Sequence, residues 1–210
     1  MRKRKRQTLL YIFLIFVLSG FYIHMHQLYF SPEDVFYACE RGLRSGPSEE
    51  IVLKYEQEDG DIMVVGRQED GIFAVPAEKT HIFLWRMKSG SVDGEYACTK
   101  DVDGYLNHDG KVLGLSRNSE ITEVSFIVGN YYERNWQEFA CEPDENGFIH
   151  YDTEFDGWED YVLYWEGRNA EGEVVYADED DGLVKVLRSG NFTPEAKQVT
   201  KPYPVAPNVK

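Results

Sequence analysis

Carboxylates are the side chains most densely placed for chemistry in this sequence. They gather in three runs: Asp101-Val102-Asp103-Gly104, Glu154-Phe155-Asp156-Gly157-Trp158-Glu159-Asp160 and Asp178-Glu179-Asp180-Asp181. Crowded carboxylate oxygens are what a hard cation such as calcium requires. An EF-hand loop opening at Asp101 would need glycine and glutamate where the chain has Leu106 and Val112. One opening at Asp178 would enclose Val184 and Leu187 and lacks the closing acid. Solvated turn acids are the plainer reading. Glu154, Asp156, Glu159, Asp160, Asp178, Asp180 and Asp181 stand as a candidate surface for a cation or a protein partner, with calcium the one cofactor they would admit.

A pair of carboxylates beside aromatic rings would also suit glycan hydrolysis, with Trp158 and Trp165 as sugar platforms. That reading requires one acid among Glu154, Asp156, Glu159 and Asp160 to carry a raised pKa. A Cys-His nucleophile pair is formally available from Cys98 or Cys141 with His81, His108 or His150, but nothing in the local sequence favours it. The chain has no G-x-S-x-G, H-E-x-x-H, phosphate-binding loop or dinucleotide fingerprint. No catalytic residue and no metal ligand is therefore assigned. The three cysteines, Cys39, Cys98 and Cys141, are an odd number without a C-x-x-C pair, which gives zinc little support. Each sits in an apolar segment and reads as a buried thiol, with one bridge plus a free thiol as the alternative.

Charge narrows the function classes. The chain of 210 residues has 22 Lys and Arg against 37 Asp and Glu. Residues 1–30 hold five of the basic side chains and no acid, which leaves the remaining 180 residues at a net of −20. Nucleic-acid binding needs clustered positive charge, so no nucleic-acid partner is expected. With 42% apolar and 14% aromatic residues the chain can bury a core.

These residues need elements to position them. The cluster Arg2 to Arg6 precedes an uncharged run from Gln7 to Phe30. A helix rises about 1.5 Å per residue and needs about 20 residues to cross a bilayer. No A-x-A-like cleavage site follows the apolar run, and the first cysteine, Cys39, lies too far on for lipidation. Residues 1–30 thus read as a basic stub and an uncleaved signal anchor that contacts the membrane through residues 8–30. The positive end stays in the cytoplasm and the C-terminal part is exported, a single-pass cell-membrane arrangement.

Ser31-Pro32-Glu33-Asp34 is a helix start, with Ser31 as cap and Pro32 at the first helical position. A short amphipathic helix is expected over 31–44, in a segment closing at residue 46. From residue 50 apolar runs alternate with turn residues: 51–55, 62–65, 72–75, 81–85, 124–128, 136–141, 148–151, 161–165, 174–176 and 184–187. Asp-Gly pairs at 59–60, 70–71, 93–94, 103–104, 109–110, 156–157 and 181–182 read as hairpin turns. The stretch 89–119 reads as a long connection with one or two short strands. The expected fold is mainly β, an antiparallel meander or sandwich over 47–188, as one domain or as lobes 47–115 and 116–188. Residues 189–210, with four prolines, read as a flexible tail.

The basic cluster, single apolar span, Ser31-Pro32-Glu33-Asp34 helix start and turn-rich β region resemble the layout of uncharacterised signal-anchored exported proteins of Gram-positive bacteria. The block from Ile121 to Tyr176, above all Glu171-Gly172-Glu173-Val174-Val175-Tyr176, is similar to small Ig-like modules of such proteins. The resemblance implies an extracytoplasmic location and carries no functional residues across. The expected function is a non-enzymatic interaction or sensing module with a protein partner in the envelope. A tethered glycan or peptide hydrolase and a calcium-stabilised adhesion module are the alternatives.

Overall fold

The computed structural model describes residues 2–81, 83–88, 94–130, 135–155 and 157–178, with the backbone alone for 2–5. The fold is mainly β; among the described residues every strand pairs antiparallel, and there are two helices. The chain divides into two compact units, Met1–Ala97 and Cys98–Lys210.

The first unit opens with α1 (Arg2–Met25). Its stretch Arg6–Met25 is long and apolar enough to cross a membrane, and none of it is buried against the protein. The helix ends in a Schellman motif without glycine. Gln27 takes the left-handed conformation at φ 49°. Leu28 N–H then donates to the Ile23 carbonyl at 3.0 Å, and Gln27 N–H to that of His24 at 3.2 Å. Leu28 is buried just beyond.

Helix α2 (Pro32–Leu43) forms where its cap places it: Ser31 Oγ accepts from Asp34 N–H at 3.1 Å. Its far end is closed by Arg44 at φ 59°, and the Ser45 N–H bonds the Glu40 carbonyl at 3.1 Å. Val35, Phe36 and Cys39 point inward. They pack on a meander of β1 (Glu50–Glu56), β2 (Ile62–Gln68), β3 (Gly71–His81) and β4 (Leu84–Met87). A fifth strand, β5 (Gly94–Ala97), pairs the first part of β3, while β4 pairs its end. The core is Val35, Phe36, Val64, Phe73, Val75 and Ala77. Phe36 meets Phe73 edge-on at 5.4 Å.

The second unit is a two-sheet sandwich. One sheet runs β10 (Phe148–Asp152), β7 (Lys111–Ser116), β6 (Val102–Leu106). The other runs β12 (Val174–Ala177), β11 (Tyr161–Arg168), β8 (Glu123–Asn130), β9 (Asn135–Cys141). Val102, Val112 and Ile149 from the first sheet share a core with Val124, Phe126, Val128 and Trp165 from the second. Phe126 stands 5.2 Å from Trp165 and 5.6 Å from Tyr151.

Three expectations need correction. The run 81–85 is not one strand, because His81 closes β3 and Leu84 opens β4. The stretch 89–119 carries β5, β6 and β7 rather than one or two short strands. Asp103-Gly104 lies inside β6 and is no turn. Gly104 faces Gly114 across the ladder, and the pair leaves a slot for Trp165, whose ring atoms lie 3.0 Å and 3.3 Å from where their Cβ atoms would stand. The expected strand at 184–187 and the Pro-rich tail lie outside the described residues.

Candidate functional site

The acidic run after Thr153 becomes a loop between β10 and β11, laid over the β6–β7 turn. Asn107 builds that turn: its Oδ1 accepts from Asp109 N–H at 3.1 Å and Lys111 N–H at 2.9 Å. Gly110 at φ 74° completes it, and its carbonyl accepts from Thr153 N–H at 2.8 Å and Thr153 Oγ1 at 2.7 Å. Gly157 lies directly against the Asn107 carbonyl, where a Cβ would collide. The loop is thus fixed at both halves.

Its side chains divide by exposure. Glu154 and Glu159 are exposed, while Asp160 is buried. The Glu159 carbonyl accepts from Asn130 Nδ2 at 2.7 Å. Trp158 is 72% exposed, with its ring 5.9 Å from that of His108. Trp165, the other expected sugar platform, is 3% exposed and belongs to the core. Beside the turn, Asp152 Oδ1 takes Lys111 Nζ at 2.5 Å and His150 Nε2 at 3.3 Å. The Lys111 ammonium holds the Asp152 carboxyl below its ordinary range, while burial pushes the His150 imidazole down.

Asp178 does structural work at the end of β12. Its Oδ1 accepts from Lys100 Nζ at 2.7 Å and the Tyr176 hydroxyl at 2.8 Å. Its Oδ2 accepts from Trp165 N–H at 3.1 Å. Burial, reinforced by the bond to Asp178, raises the Tyr176 phenol well above its usual value. Asp103, from the first acidic run, is buried and closes a turn by accepting from Thr99 N–H at 2.9 Å. Asp156, Asp180 and Asp181 lie outside the described residues. Of the acids proposed as one surface, Glu154, Glu159 and Asp160 share the loop, and Asp178 belongs to a separate cluster.

No protein-family model matches this chain, and no curated protein or solved structure matches it either.

Among the described residues, no group of three or more His, Cys, Asp or Glu could hold a metal ion. The three cysteines are free thiols. Burial raises Cys39 and pushes Cys141 up to about 11, so neither is a thiolate at neutral pH.

A second surface lies in the first unit, where α1 ends. A hollow of about 390 Å³ is lined by Tyr22, His26 and Leu28 from the chain leaving the helix and by Glu78, Lys79, Thr80, His81 and Arg86 from the β3–β4 hairpin. The hairpin is fixed there by a two-way backbone bridge between Tyr29 and Trp85, each bond 2.8 Å. Arg86 pairs with Glu78, and Lys79 Nζ lies 5.4 Å over the Trp85 ring. Phe30 and Phe83 stack beside it at 6.5 Å and 5°. Sequence reasoning placed the half up to Phe30 at the membrane and missed the hairpin half. Its halves stand some fifty residues apart, and no local pattern links them.

Proposed function

We propose that the protein is a single-pass membrane protein with a cytoplasmic N-terminus, whose β units act outside the cytoplasm as a non-enzymatic interaction or sensing module. One observation carries this reading. Helix α1 exposes large apolar side chains throughout its length, among them Leu9, Phe13, Phe16 and Phe21, while each β unit closes a core of its own. Such a helix needs an apolar surrounding that neither unit supplies, and its 20 residues from Arg6 to Met25 reach about 30 Å, the thickness of a hydrocarbon core. The basic residues before it favour the cytoplasmic side for its start.

The net charge of −20 beyond residue 30 favours a cationic partner and repels anionic polymers. Exposed Trp158, with exposed Glu154 and Glu159 in the same loop, offers that partner an aromatic anchor and acidic side chains. The same exposed Trp158 is what a tethered glycan hydrolase would use as a platform. That rival predicts that Glu154→Gln or Glu159→Gln abolishes turnover on envelope glycans while leaving the fold intact.

The test has two steps. Alkaline phosphatase fused after residue 178 is expected to be active and green fluorescent protein dark, and the reverse would overturn the orientation. Crosslinking the full chain in its native membrane is then expected to enrich one envelope protein over an anchor-only control. Trp158→Ala and the charge reversal Glu154→Lys/Glu159→Lys should weaken that capture. Turnover of a glycan or peptide panel without such enrichment would overturn the non-enzymatic reading.

A further inference from the structure

Among the large apolar side chains that the first unit leaves exposed, four belong to the end of α1, the segment after it and the β3–β4 hairpin. From the last turns of α1 onward, Tyr22 is 50%, Met25 62% and Phe30 64% exposed, and Phe83 on the hairpin is 61% exposed. Phe83 is distant in sequence, yet its ring lies parallel to Phe30, and the Tyr29–Trp85 bridge fixes the two chains that carry them. A stacked aromatic pair held open to water by a rigid backbone bridge gains nothing from the fold itself.

Charge beside the pair runs against the rest of the molecule. The hollow next to it holds Lys79, Arg86, His26 and His81 with Glu78 as its one acid, in a chain whose net charge is −15. Aromatic rings flanked by long cationic side chains, directly after an apolar span, are the composition of a membrane–water interface. Phe30 follows the end of α1 by five residues, so a bilayer around α1 places its headgroup layer at this surface.

We propose that the β3–β4 hairpin docks onto the bilayer that α1 crosses, with Phe30 and Phe83 seated together in the phospholipid headgroup layer. This rests on the membrane-spanning reading of α1. Docking there holds the first unit against the lipid surface instead of letting it swing on a free linker. It also orients Lys79 and Arg86 toward lipid phosphates.

The test uses the full chain in nanodiscs of phosphatidylcholine and phosphatidylglycerol, without brominated lipid, with lipid brominated near the headgroup to read positions 30 and 83, and with lipid brominated at the acyl-chain ends to read position 16. Three single variants, Phe83→Trp, Phe30→Trp and Phe16→Trp, add one indole each, and the emission beyond that of the unsubstituted protein is read. Phe16 lies mid-span and reports on the span alone. Docking predicts that the added emission from Phe83→Trp and Phe30→Trp is blue-shifted and at least about two-fold weaker in brominated discs. Quenching of Phe16→Trp without quenching of Phe83→Trp, whether or not Phe30→Trp is quenched, would overturn the docking and leave the span in place. Quenching of none of the three would overturn the span and the docking together. A blue shift at Phe83→Trp without bromine quenching would mean that protein covers the pair, and would also overturn the proposal.

Discussion

At the scale of single residues, several side chains act through what they exclude. Gly66 on β2 lies beneath Phe36, and a Cβ there would stand 2.6 Å from Ser48 Oγ. Phe36 is fully buried and cannot turn away. Gly66→Ala is therefore expected to cost about 1–3 kcal/mol, the usual penalty of overpacking, read from urea unfolding. Asp178 spends its carboxylate on protein donors, namely Lys100, Tyr176 and the Trp165 backbone. Asp178→Ala should destabilise the second unit by about 1–3 kcal/mol through the donors it strands. A chelator should leave the melting temperature unchanged, and a chelator-dependent drop would revive a calcium-stabilised module.

His150 supplies a pH dependence whose sign follows from its surroundings. Burial lowers its pKa below the ordinary 6.5, against the opposing pull of Asp152 and with Lys111 adding to the depression. The unfolded chain then binds a proton on this ring more readily than the native one. Stability should be undiminished above about pH 6.5 and fall as the pH drops from there toward the native-state pKa. Urea midpoints taken between about pH 7 and 5 should decline less in His150→Gln than in the unsubstituted protein.

At the scale of elements, local signals and packing divide the labour. Helix α2 begins at a cap that any reader of Ser31-Pro32-Glu33-Asp34 would place, because the Ser31–Asp34 bond spans three residues. Ser31→Ala should cost about 1 kcal/mol and Ser31→Asp should retain most of the stability, both read by denaturant unfolding. The Asp-Gly pairs show where local reasoning stops. Gly60 and Gly110 take positive φ, as turn glycines should, and so does Gly94 where β5 begins. Gly71 instead pairs Gln68 and Ala97 within the sheet, and its missing Cβ makes room for the Tyr96 carbonyl, 2.5 Å from where a Cβ would be. Gly104 admits Trp165. The dipeptide is the same, but turn and close approach both select glycine, and the partner that distinguishes them is distant in sequence.

At the scale of the whole molecule, net charge dominates. Beyond residue 30 the chain carries a net of −20, and such an excess weakens a compact state by self-repulsion. Raising salt from about 0.01 M to about 0.15 M shortens the screening length from about 30 Å to about 8 Å. The melting temperature of the protein in neutral detergent should therefore rise over that range. A flat response would mean that ion pairs such as Lys54–Glu33 and Lys111–Asp152 already offset the excess.

Elements that depend on neighbours a few residues apart are legible in the chain alone. The apolar helix follows from an unbroken uncharged run, α2 from its cap, and β8 to β12 from short apolar stretches between turn residues. Only the tertiary structure decided which aromatic and acidic side chains are available. It buried Trp165 between the sheets and left Trp158 exposed, turned Asp160 inward and Glu159 outward, and tied Asp178 to Lys100. It also brought Phe83 alongside Phe30 through the Tyr29–Trp85 bridge. Exposure and partnership are set by strand pairing across tens of residues, and one residue type satisfies both outcomes, so no local pattern distinguishes them.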